Sequence, residues 1–105
     1  MIYSGDTYEQ TYTFKDSTGD PIDFVAAGYT EWWAQYRPTR DAIEHVDFTV
    51  VHTDADEGVI VVKLTHEKTS TITENGVWDL KAKKGTRLRT FITSAVSVTQ
   101  GVTLV

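Results

Sequence analysis

Apolar and polar residues alternate along this chain in short segments with a period of two. From Thr7 to Lys15, Tyr8, Gln10, Tyr12 and Phe14 fall on one side, and Thr7, Glu9, Thr11, Thr13 and Lys15 on the other. That pattern predicts a half-buried strand. Turn-forming residues occupy Asp16 to Pro21, and Ile22 to Gly28 reads as a short edge strand or an extended link. The next strand begins at Tyr29, with Trp32, Ala34 and Tyr36 on one face and Trp33, Gln35 and Arg37 on the other. Pro38 cannot donate to a ladder and ends it. Val46, Phe48, Val50 and His52 share one face of the following segment, and Asp54 to Gly58 forms a hairpin turn. Ile60, Val62 and Leu64 then oppose Val59, Val61 and Lys63. His66 to Gly76 lacks alternation and predicts a single helical turn. Beyond it, Trp78, Leu80 and Ala82 point inward on one strand and Leu88, Thr90 and Ile92 on the next, across a turn at Lys83 to Thr86. Val96 and Val98 are the inward positions of the last segment.

Short strands at roughly ten-residue spacing, with no long helical stripe, predict an all-β fold. The expectation is a small immunoglobulin-like antiparallel β-sandwich of about seven strands. At 105 residues the chain makes one domain, 1–105, with candidate apolar arms at 1–4 and 100–105. Each arm either pairs within the domain or adds a strand to a neighbour's sheet. Cysteine is absent, which excludes disulfides, thiolate nucleophiles and cysteine-ligated zinc.

A net charge of -5 argues against a general nucleic-acid surface, which needs cations to displace the counterions of phosphates. The longest apolar runs, Phe24 to Ala27 and Val59 to Val62, are four residues each, and the first residues lack a basic segment followed by an apolar one. Neither a signal peptide nor a membrane contact is expected.

Candidate chemistry is sparse. His45, His52 and His66 do not share a spacing that converges on one site. Asp54 to Gly58 has alternating carboxylates, but Leu64 and Thr65 stand where a calcium loop wants acids. Ser94 and Ser97 lie in a strand pattern without a nucleophile elbow. Lys83 to Thr86 lacks the preceding glycine and the following helix of a phosphate loop. No enzyme, metal or cofactor is expected. The outward positions are more informative, because aromatic residues and arginine are enriched where protein partners bind. Trp33, Arg37, Val59, Val61, Arg89 and Phe91 form the candidate protein interface. The competing reading has Trp33 covering an edge of its own sandwich.

Several stretches resemble a family of small immunoglobulin-like domains of tailed bacteriophages and prophages, typified by the N-terminal domain of baseplate upper proteins. They are Gly5-Asp6-Thr7, Pro21-Ile22-Asp23, Gly28-Tyr29-Thr30, Ala34-Gln35-Tyr36-Arg37-Pro38, Gly58, Trp78-Asp79-Leu80 and the run from Arg87 to Thr99. Trp32-Trp33 and His52 depart from the family pattern. The resemblance implies a non-enzymatic structural protein of the virion, made in the host cytoplasm, in the tail, baseplate or connector region. Its partners would be other virion structural proteins in a symmetric multi-copy assembly. Two alternatives stand beside it: a capsid decoration protein that stabilises the shell, and a carbohydrate-binding module using Trp33 and Phe91 as stacking platforms.

Overall fold

The alternating segments pair into two facing sheets. The computed structural model describes residues 2–100. One sheet has three strands in the order β2 (Tyr8–Thr13), β6 (Val59–Leu64), β5 (Thr49–Val51). The other has four, in the order β4 (Val46–Asp47), β3 (Tyr29–Arg37), β7 (Gly76–Lys84), β8 (Arg87–Val96). All pairings within these two sheets are antiparallel. β1 (Ile2–Ser4) and β9 (Val98–Gln100) form a separate parallel pair. The protein is an all-β sandwich.

The core lies where the two inner faces meet. Ile60, Val62 and Leu64 of β6 pack opposite Trp32, Ala34 and Tyr36 of β3 and Trp78, Leu80 and Ala82 of β7, all buried. These are the inward positions expected from alternation. Each is burial of apolar area, the main favourable term in folding, at roughly 25 cal/mol per Å². β3 ends at Arg37, before Pro38, and the expected helical turn is α1 (His66–Thr69), capped by the Thr65 hydroxyl, which accepts from the Lys68 amide. The buried Thr69 hydroxyl donates to the Asp6 carbonyl at 2.7 Å and accepts from the Gly5 amide at 3.1 Å. It ties β1, whose Ile2 is buried, to the domain. The candidate arm at 100–105 lies outside the described residues except for Gln100.

Three stretches differ from the expectation. The segment holding Val46 and Val51 changes sheets at Phe48, whose amide still bonds the Ala34 carbonyl of β3 at 2.9 Å while Thr49 begins pairing with β6. One expected strand is therefore two short ones; the two facing sheets hold seven strands, in line with the expectation, and β1 and β9 pair beside them. His52, expected inward, is exposed, because β5 ends at Val51 and the chain enters the turn around Ala55–Glu57. Ile22 to Gly28 is neither strand nor link. Its turns are held by the Asp23 carboxylate, which accepts from the Ala26 amide at 2.8 Å, and they drive Phe24 into the core.

The third difference sets up the functional surface. Leu80 pairs with Ile92 but Lys81 pairs with Thr90, so Phe91 is an extra residue, a β-bulge. One inserted residue reverses the facing of everything on one side of it. Leu88 and Thr90, expected inward, are exposed. Phe91, expected outward, is packed among Phe14, Phe24, Tyr29 and Trp32, with centroid separations from 5.3 to 5.9 Å.

At the opposite end, half-buried Tyr8 packs edge-on to Phe48 at 6.0 Å. Burial first, and then neighbouring Tyr12, pushes its phenol up from 10.0 to about 12. The folded protein thus holds this proton more tightly than the unfolded chain. The resulting stability is complete below about pH 10 and is lost as pH rises toward about 12. A Tyr8→Phe variant is expected to unfold in urea with a shallower decline over that window than the wild type. Parallel profiles for the two proteins would refute the assignment.

Candidate functional site

Alternation in β3 sends Trp33, Gln35 and Arg37 to the outer face of the four-stranded sheet. Register places Trp33 opposite Lys81, Gln35 opposite Asp79 and Arg37 opposite Val77. Lys81 and Asp79 are in turn flanked by Thr90 and Thr93 of β8. Because β3 and β7 are the two central strands, these side chains occupy the middle of an open face.

Trp33 retains 41% of its accessible surface, and Leu88, on the same face opposite Lys83, retains 65%. The two border a shallow depression together with Gln35, Arg37, Asp79 and Lys81. A second depression shares the last four and extends toward Arg40 and Thr93. The polar groups are oriented by one another. Arg37 donates to the Gln35 side-chain carbonyl at 3.1 Å and to the Ala42 carbonyl. Gln35 donates to Asp47 at 2.9 Å, and Lys81 lies 3.9 Å from Asp79. Among the described residues no arginine lies within 4.0 Å of a carboxylate. Arg37 is thus a positioned cation whose partners are neutral, and its charge remains free for an external anion.

The face has an exposed tryptophan among oriented polar groups, an exposed leucine toward its edge, and little depth. Such a surface suits contact with another macromolecule better than enclosure of a small molecule. The histidines lie elsewhere: His45 is 3.5 Å from Asp47 at the sheet edge, His52 follows β5 and His66 opens α1. Among the described residues, no group of three or more His, Cys, Asp or Glu is arranged to hold a metal ion.

Of the six residues expected at an interface, the structure brings Trp33 and Arg37 together. Val59 and Val61 are half-buried on the outer face of the three-stranded sheet, across the sandwich, where Val61 sits between Thr11 and Val51. Phe91 is half-buried against the core, and Arg89 lies over its ring at 5.1 Å. Leu88 and Lys81 were missed. The signal for Leu88 lies in the hairpin: a two-residue turn at Gly85-Thr86 pairs Lys84 with Arg87 and therefore Lys83 with Leu88. Lys83 is outward wherever Ala82 is inward. Comparison with protein-family models and with curated proteins finds no match.

Proposed function

We propose that the chain is a non-enzymatic structural protein of a tailed phage particle, in the tail, baseplate or connector region. It acts by protein-protein contact through the outer face of its four-stranded sheet. The observation that carries the contact reading is Trp33, a large aromatic side chain that the described residues leave 41% exposed in the middle of a sheet face, beside Leu88 and Arg37. Tryptophan and arginine dominate interface hot spots, where truncation costs about 2 kcal/mol or more. The phage context rests on the family resemblance. The carbohydrate-binding reading needs a row of stacking aromatics, and with Phe91 turned inward against the core Trp33 is alone on this face among the described residues.

Trp33→Ala should leave the circular dichroism spectrum and melting behaviour essentially unchanged and lower incorporation into assembled particles by about tenfold or more, since roughly 1.4 kcal/mol corresponds to tenfold in affinity. Wild-type incorporation of both Trp33→Ala and Leu88→Ala would sink the proposal. A particle map then separates tail from capsid, since the two sites have different symmetry partners.

A further inference from the structure

Charge is segregated in this protein. Strands β3, β7 and β8, with the hairpin turn between the last two, carry six basic and two acidic side chains, while the rest of the chain carries four basic and thirteen acidic. The densest part of each set lies at the same end of the sandwich. On one layer, the β7–β8 hairpin presents Lys83, Lys84, Arg87 and Arg89 around exposed Leu88. On the other, two acidic loops lie side by side: Asp16, Asp20 and Asp23 in one, and Asp54, Asp56 and Glu57 in the next, all exposed. The loops are joined by bonds from the Phe24 amide to the Ala55 carbonyl at 3.0 Å and from the Phe14 amide to the Gly58 carbonyl at 2.8 Å. The hairpin is brought to that end by the pairing of Tyr29 with Lys84, the Tyr29 amide bonding the Phe24 carbonyl, and the Lys84 side chain running along Gly28.

Basic and acidic halves are adjacent but do not neutralise each other: among the described residues, no hairpin cation lies within 4.0 Å of a loop carboxylate. Each half also has an exposed aliphatic side chain, Leu88 in the hairpin and Val25, 62% exposed, in the loop that follows Asp23. A patch made of two unlike and complementary halves matches itself after rotation about a two-fold axis, the condition for an isologous interface.

We propose that this end of the sandwich docks a second copy of the chain about a two-fold axis, the basic hairpin of each copy lying on the acidic loops of the other. Leu88 of each copy approaches Val25 of the other, and oppositely charged side chains surround both contacts. The interface shares Leu88 with the sheet-face depression but leaves Trp33 and Arg37 free, so Trp33→Ala separates the two contacts.

Sedimentation velocity on the full chain tests it. The wild type should form a dimer at low ionic strength, with an association constant falling at least about tenfold toward 1 M salt, where the Debye length is about 3 Å. Lys84→Glu with Arg87→Glu, and separately Asp54→Lys with Asp56→Lys, should each be monomeric under dimerising conditions while keeping the wild-type circular dichroism spectrum. An equimolar mixture of the two variants should dimerise again, because each interface then pairs opposite charges. A wild type that stays monomeric at every concentration, or a mixture that does not recover association, overturns the proposal. So does a dimer that Trp33→Ala dissociates as completely as the charge reversals, since the contact would then be the sheet face.

Discussion

Gly58→Ala is expected to destabilise the protein by about 3 kcal/mol or more, combining roughly 1–2 kcal/mol for a left-handed backbone with roughly 1–3 kcal/mol for overpacking. Gly58 closes the turn Ala55–Glu57 with φ of 75°. An added methyl would lie 2.5 Å from the Phe14 carbonyl oxygen and 3.1 Å from the backbone nitrogen and oxygen of Ile22. Those neighbours are backbone and cannot swing away. The Gly58 carbonyl also accepts the Phe14 amide at 2.8 Å, so any displacement loosens the junction that holds Phe24 and Ala55 in the core. Gly19→Ala is the control: its φ is 90°, but an added methyl would meet nothing within 4 Å. It should show the backbone cost alone. Urea midpoints at an unchanged denaturant slope measure both. If the two substitutions cost the same, the steric half of the account fails. Against a typical total of about 5–15 kcal/mol, the Gly58 change would remove a substantial part of the margin.

The strands whose two neighbours are both in place were the most legible in the sequence. β6 and β7 each lie between two other strands, one face buried and one outward, so their side chains alternate without interruption and the inward positions read directly. β8 has a partner on one side only. An edge strand can accept an extra residue at the cost of a local break in its ladder. The strictly alternating reading of Leu88, Thr90 and Ile92 could not anticipate the bulge at Phe91, although counting outward from the Gly85-Thr86 turn does place Leu88 correctly. The bulge decided the composition of the site, because it took Phe91 into the aromatic cluster and put Leu88 beside Trp33.

Other differences have a tertiary origin. The switch of sheets at Phe48 preserves a continuous apolar pattern, since Phe48 is buried whichever sheet its neighbours join. Period two therefore carries no record of it. Phe24 is buried from a turn rather than a strand, held there by the Asp23 carboxylate and by the bond to Ala55, and its partner is thirty-one positions away along the chain. Trp33 was legible for the opposite reason: its facing depends only on β3, which has no irregularity between Glu31 and Arg37.

The adjacent tryptophans provide the sharpest remaining contrast. Trp32→Ala is expected to cost about 3–5 kcal/mol, as for other large-to-small core changes, whereas Trp33→Ala should cost less than about 1 kcal/mol. Trp32 is 8% exposed and stacks on Phe91 at 5.5 Å, with Phe24 edge-on at 5.1 Å. Removing it leaves a cavity under both sheets at the point where the bulge has added a ring. Its indole N–H, moreover, is buried without a hydrogen-bond partner. An unsatisfied buried donor costs roughly 1–3 kcal/mol, so Trp32→Phe, which removes the donor and keeps most of the aromatic surface, should cost far less than Trp32→Ala. Urea unfolding of the three variants gives an ordering of Trp33→Ala and Trp32→Phe near the wild type and Trp32→Ala well below. If Trp33→Ala proved as damaging as Trp32→Ala, Trp33 would be a structural cover for its own sheet. The outer face would then lose the residue around which the interface is built.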